Sequence, residues 1–152
     1  MIELPLYIHI IFSFLAAVGF AIFLNSPRTT AIPAGIIGTI GWVLYVILMR
    51  LRFQNMSSNF IAAVLVSIFS EILARRFKQP TILFVIPGII PLIPGLGLYN
   101  TMFYLVQNKF TEAISTGANT LFVSGSIALG VLVVSSLFRT FTIMNFSKKR
   151  NN

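Results

Sequence analysis

Five apolar stretches dominate this sequence, each close to the length a helix needs to cross a membrane. They run from about Leu6 to Leu24, Ala31 to Met49, Met56 to Leu73, Thr81 to Val106 and Asn119 to Phe138. One crossing takes about 20 apolar residues, so five use about 100 and leave only short loops and a tail. Charged residues make up 9% of the chain and hydrophobic ones 57%, whereas a water-facing domain carries roughly 25% charge. A soluble domain is excluded. The pattern predicts an all-α integral membrane protein of about five transmembrane helices, forming a single domain over residues 1–152.

The first stretch reads as a retained span. Met1-Ile2-Glu3-Leu4-Pro5 has no basic n-region, and the apolar run behind it exceeds a signal peptide's h-region. Eleven Lys and Arg against three acids give a net charge of +8. These residues lie between the apolar stretches, so they set topology and do not point to nucleic acid. With five alternating spans, Arg28, Arg75, Arg76, Lys78, Arg139, Lys148, Lys149 and Arg150 fall on one side. Arg50, Arg52 and Lys109 fall on the other. The positive-inside bias then puts the C-terminus in the cytoplasm and Glu3 outside, in a cytoplasmic (inner) membrane. This assignment requires the fourth region to cross once instead of dipping in and returning.

Small residues recur every fourth position: Ser13/Ala17/Ala21, Ala31/Gly35/Thr39, Ala34/Gly38 and Ser126/Gly130. That spacing puts them on one helix face, where small side chains let backbones approach closely in lipid. We expect these faces to pack within one chain, with a dimer face as the alternative.

The most informative stretch is Pro87-Gly88-Ile89-Ile90-Pro91-Leu92-Ile93-Pro94-Gly95, set inside the fourth apolar region. Proline lacks the amide that bonds the carbonyl four residues back, so the carbonyls of Leu83, Pro87 and Ile90 are expected to lose partners. Gly88 and Gly95 permit backbone angles outside the helical region. The motif therefore predicts a broken, or re-entrant, fourth helix. Unpaired carbonyls are too costly for hydrocarbon and must face protein or a watery cavity. Broken helices of this kind line substrate sites in secondary transporters, where half-helix N-termini hold carboxylates and freed carbonyls hold cations. A zwitterionic amino acid presents both charges. A purely structural break is the competing reading.

Other polar residues are few. Glu71 lies near membrane depth, with Arg75 at the i+4 spacing of a favourable helix pair; a coupling or gating carboxylate is the functional alternative. His9, the single histidine, reads as an interfacial residue, with a proton relay as the alternative. Asn25 and Arg28 beside Pro27 form a polar helix end. Trp42 and Tyr45 are expected to pack, and the Lys148-Lys149-Arg150 tail to favour anionic lipid. One histidine, no cysteine and three dispersed acids cannot build a usual zinc site. Neither a P-loop nor a Ser/His/Asp set is present. The sequence calls for no enzyme, metal or cofactor.

The run Glu71-Ile-Leu-Ala74-Arg75-Arg76 … Pro80 … Pro87-Gly88-Ile-Ile-Pro91-Leu92-Ile-Pro94-Gly95 … Tyr99 resembles the threonine/serine exporter family. The upstream stretch Gly19-Phe20-Ala21 … Asn25-Ser-Pro27-Arg28 … Gly35-Ile-Ile-Gly38-Thr-Ile-Gly41-Trp42 is similar to that family's first two spans. The likeness covers about residues 14–138, leaving 139–152 as a basic tail, and is to the small, YjjB-like subunit. It implies a secondary exporter of small amino acids, or in some members of a dicarboxylate such as succinate. It also implies a larger, YjjP-like partner subunit in the membrane and hence an oligomer. By position it carries over Glu71, Arg75, Pro87, Gly88, Pro91, Pro94, Gly95, Tyr99, Asn25, Pro27 and Arg28. A scaffold subunit that only stabilises its partner, or a passive pore, are the alternatives.

Overall fold

The computed structural model describes the backbone over residues 5–150 and side chains over residues 5–140. The Lys148–Arg150 side chains and Glu3 lie outside what it describes. Among the described residues the chain is helical throughout: α1 (Leu6–Phe23), α2 (Arg28–Arg50), α3 (Asn55–Phe77), α4 (Ile82–Ile89) with a 3₁₀ turn (Ile90–Leu92), α5 (Gly95–Val106) and α6 (Phe110–Arg150). Four helices are long and apolar enough to cross a membrane, and a fifth span arises if α4 with its 3₁₀ turn is joined to α5 across a 59° bend.

The interior is built from small residues and the exterior from large apolar ones. On α1 the buried residues are His9, Ser13, Ala17 and Ala21, while Phe12, Leu15, Ile22 and Phe23 are exposed. That inversion is stable only where the surroundings are as apolar as the side chains, as lipid is. The predicted stripes therefore pack inside the chain. A Cβ on Gly38 would lie 2.9 Å from the Ala17 Cβ, and one on Gly130 3.0 Å from the Phe60 carbonyl oxygen. Only near-absent side chains permit these crossings.

Each turn between long helices closes in the same way. Asn25, Arg52, Lys78 and Asn108 have φ of 54°, 63°, 53° and 58°. In each case the next amide bonds a carbonyl five residues back: Ser26 to Ala21, Phe53 to Leu48, Gln79 to Ala74 and Lys109 to Tyr104, at 2.9–3.1 Å. This is the Schellman closure, which satisfies carbonyls left over at a helix end. Asn25 thus owes its position to backbone geometry.

Contacts between helices fix the direction of each span. The Tyr45 hydroxyl donates to Asn55 Oδ1, joining the end of α2 to the start of α3, and Trp42 reaches back to His9 near the start of α1. At the opposite end the Phe84 ring of α4 lies 6.0 Å from that of Phe77 at the end of α3. Arg75 there donates to the Phe138 carbonyl of α6. Because α4 begins and α6 descends to the same end, α4 and α5 must between them carry the chain to the other end. The fourth region therefore runs from one end of the bundle to the other, with the 59° bend between its two helices.

α6 differs from the expected Asn119–Phe138 span. It has 41 residues, about 60 Å of helix, and begins nine residues earlier. Gly130 of α6 touches α3 at Phe60, Ala63 and Val64, so the start of α6 extends roughly three turns beyond that of α3. α5 packs along this extension, Gly97 against Thr120 and Thr101 against Gly117.

Candidate functional site

The break in the fourth span is made by one proline. Pro94 pushes Ile93 out of the helical region, and Ile93 is extended at φ −61°, ψ 128°. Pro94 itself adopts φ −76°, ψ 63°, with the Gly95 amide bonded to the Ile93 carbonyl at 2.7 Å. That is an inverse γ-turn. Pro91 sits in the 3₁₀ turn. Pro87 does not break the chain: it is buried inside α4, which continues to Ile89.

Two expectations about this motif are corrected. The Ile90 carbonyl is not left without a partner, because the 3₁₀ turn brings the Ile93 amide to it at 3.2 Å. None of the described glycines has positive φ, so neither Gly88 nor Gly95 serves as a left-handed hinge. Gly88 is there for closeness: a Cβ on it would lie 3.0 Å from Val66 Cγ1. Gly95 starts α5 and has open space where a Cβ would point.

Gly95 also lines a cleft of about 370 Å³, together with its neighbours from Leu92 to Leu96 at the break, Trp42 and Tyr45 of α2, Asn55 and Asn59 of α3, and Val123 of α6. Its polar wall is held by a chain of bonds. Trp42 and Tyr45 lie ring against ring, 5.2 Å apart. The Tyr45 hydroxyl donates to Asn55 Oδ1 at 3.1 Å. Asn59 Nδ2 donates to the same oxygen at 2.8 Å and to the Asn55 carbonyl at 2.9 Å. Asn59 is buried; a side chain with two donors and an acceptor is tolerated there because the donors are satisfied. Facing this wall is the start of α5. The first amides of a helix have no carbonyl a turn back to bond, and the dipole there favours negative charge. The cleft thus sets a phenol, aromatic faces and two asparagine side chains against the start of α5.

Of the predicted site residues, Pro94 and Gly95 line the cleft. Pro87 and Gly88 lie below it in the packing of α4. Tyr99 points outward on α5, 61% exposed and stacked on Phe103 at 6.0 Å. Glu71 is part-buried on α3, roughly 18 Å along the helix from Asn59 by helical rise. Arg75 bonds the Phe138 carbonyl at 3.3 Å and lies over its ring at 5.2 Å. Asn25 and Arg28 are exposed at the α1–α2 turn. The structure therefore does not bring Glu71, Arg75, Asn25 or Arg28 to the cleft.

Trp42 and Tyr45, expected only to pack, form part of its wall. Asn55 and Asn59 were not singled out from the sequence, although their i, i+4 spacing at the start of an apolar span was a readable signal. His9, expected at the interface, is buried at 8% exposure.

A bundle with small residues inside, large apolar residues outside and a span broken over a polar cleft is a multi-pass membrane protein of the transporter type. The chain belongs to the threonine/serine exporter (ThrE) family, whose model matches residues 9–137. It is 28% identical over 143 residues to an uncharacterized protein of Haemophilus influenzae, covering 89% of this chain and 48% of that one. It is 28% identical over 127 residues to a threonine/serine exporter of Corynebacterium glutamicum, covering 84% of this chain and 26% of that one. The chain thus spans half or less of these relatives. No solved structure matches it.

Proposed function

We propose that this chain is a membrane subunit of a secondary exporter of small amino acids, threonine and serine, driven by the proton motive force together with a larger partner subunit. The observation that supports the reading most is the opening of a broken span onto the cleft between Asn59 and Gly95. A small zwitterion matches its two sides, carboxylate toward the positive end of the α5 dipole and ammonium toward the Tyr45 oxygen and the ring faces. By the charge count the cleft lies toward the outer end, where an exported solute leaves. Glu71 and Arg75 lie toward the inner end, and we assign them to gating there.

Cells loaded with threonine and expressing this chain with its larger partner are expected to release threonine faster than cells lacking it. Pro94→Ala and Gly95→Leu, one rejoining the span and the other filling the cleft, are expected to abolish that release while the subunits still assemble. Assembled variants exporting at the normal rate would overturn the assignment of the path. Conductance from this chain alone, without stoichiometric coupling, would point to a passive pore.

A further inference from the structure

We propose that His9 is a proton-responsive positioning residue for the indole wall of the cleft. Its meaning for transport rests on the exporter reading; its chemistry does not.

His9 is the single histidine of the chain. It lies in the first turn of α1, 8% exposed, and accepts the Trp42 Nε1–H at Nδ1 over 3.2 Å. An indole nitrogen donates only, so the imidazole nitrogen facing it must be bare. The ring is then neutral and carries its proton on Nε2. That nitrogen is buried and has no partner among the described residues. A histidine kept only for packing would be expected to have both nitrogens satisfied. This one has a single bond, and protonation removes it.

A second proton can bind only at Nδ1, where it meets the Trp42 N–H head on. Both groups then donate, the bond is lost, and the indole must leave the imidazolium. Trp42 is held on its other side by Tyr45, whose hydroxyl is bonded to Asn55, itself bonded to Asn59. One proton on α1 therefore moves a wall shared by α2 and α3, at the cleft where the fourth span opens.

Few other charges face this pair. α2 contributes Trp42 and Tyr45, with Arg50 roughly two turns further along at the same end of the bundle. The segment Ile82–Leu92, which also packs on α1, contains no titratable residue. On α1 itself Tyr7 points outward at 62% exposure, and Glu3 lies outside the described residues. Glu71, the acid at membrane depth, is toward the other end of the bundle. His9 is thus the ionisable group placed to couple protonation to the cleft, on the side an entering proton meets first by the charge count.

Trp42 is the single tryptophan, so the emission comes from the one indole that His9 contacts, and H9N isolates the part due to that contact. The purified full chain, carrying no histidine tag, in nanodiscs of phosphatidylethanolamine and phosphatidylglycerol, is titrated between pH 4.5 and 9. Emission is expected to change in one single-proton step. H9N, whose amide oxygen replaces Nδ1 as acceptor but cannot take a proton, is expected to abolish the step and keep the high-pH emission. Imidazole ¹⁵N spectra of the histidine-labelled wild type are expected to show Nδ1 bare and Nε2 protonated at high pH, and both protonated below the step. This needs no variant to fold. With the partner present, the dependence of threonine export on external pH is expected to flatten in H9N. Flat wild-type emission, a step that survives in H9N, the opposite tautomer, or unchanged pH dependence of export in H9N would each overturn the proposal. Failure of the exporter reading looks different: no threonine leaves any of the cells, whatever the fluorescence does.

Discussion

Gly38 of α2 and Gly88 of α4 face each other without side chains: a Cβ on Gly38 would lie 3.2 Å from the Gly88 carbonyl oxygen and 3.3 Å from its Cα. The obstruction is backbone, which cannot rotate aside. The broken span is therefore held against α2 by the absence of two side chains, and the position of the Pro94 break depends on that seat.

Gly38→Leu is expected to pry α4 from α2, and Gly88→Leu to push it off Val66 of α3. The cost should be at least the 1–3 kcal/mol typical of overpacked sites, with loss of export and a lowered thermal midpoint in detergent. Gly19→Leu and Gly125→Leu are the matched controls, since a Cβ at either position meets nothing within 4 Å. Equal midpoints for the two pairs would show that the glycine contact does not hold α4.

A second prediction concerns the break itself. The chain has no cysteine, so Gly95→Cys gives one reactive thiol at the cleft. It is expected to react with a membrane-impermeant maleimide added outside, and to be protected by threonine. Adding Pro94→Ala frees Ile93 from the restriction before proline and is expected to slow that labelling severalfold as the helix rejoins. Labelling at the same rate in both backgrounds would mean that Pro94 does not keep the cleft open.

Much of this architecture was legible in the sequence, because spans in lipid are marked by apolar length and by the charged or proline-bearing turns that end them. The small-residue stripes also read correctly: Ser13, Ala17, Ala21, Ala31, Gly35, Ala34 and Gly38 are all buried. Local chemistry could not tell which proline breaks the span. Pro87 gives up one hydrogen bond inside a buried helix, whereas Pro94 also forces the residue before it out of the helical region. The start of α6 was hidden because Thr111–Ala118 mixes Glu, Ser and Thr with small residues and gains its helix partly from packing on α5. Asn55, Asn59, Trp42 and Tyr45 become a site only when α2 and α3 face the break. That juxtaposition is tertiary, and no single span carries it.

Separate roles for the two ends of the bundle give a third prediction. Asn59→Leu removes the donors that fix Asn55 and puts an apolar side chain in the polar wall. Export is expected to fall at least tenfold, corresponding to about 1.4 kcal/mol or more of lost binding, seen as a raised half-saturating threonine concentration. Glu71→Gln is expected to slow maximal export while leaving that concentration, and threonine protection of Gly95→Cys, unchanged. If Glu71→Gln instead abolished the protection, the gating assignment at the inner end would be wrong.

The left-handed turns give a prediction independent of transport. Arg52 adopts φ 63°, a conformation that costs a residue with a Cβ about 1–2 kcal/mol and costs glycine nothing. Glycine's greater freedom in the unfolded chain offsets about 0.4–1 kcal/mol of that gain. Arg52→Gly should therefore stabilise the protein by about 0.5–1 kcal/mol, read as a rise in the thermal midpoint followed by circular dichroism in detergent. Asn25→Gly and Asn108→Gly should gain less, since asparagine already tolerates the left-handed region. Arg52→Ala keeps the Cβ and removes the same charge, so it separates backbone relief from electrostatics. A midpoint that rises equally in Arg52→Ala and Arg52→Gly would assign the effect to lost charge and overturn the strain argument.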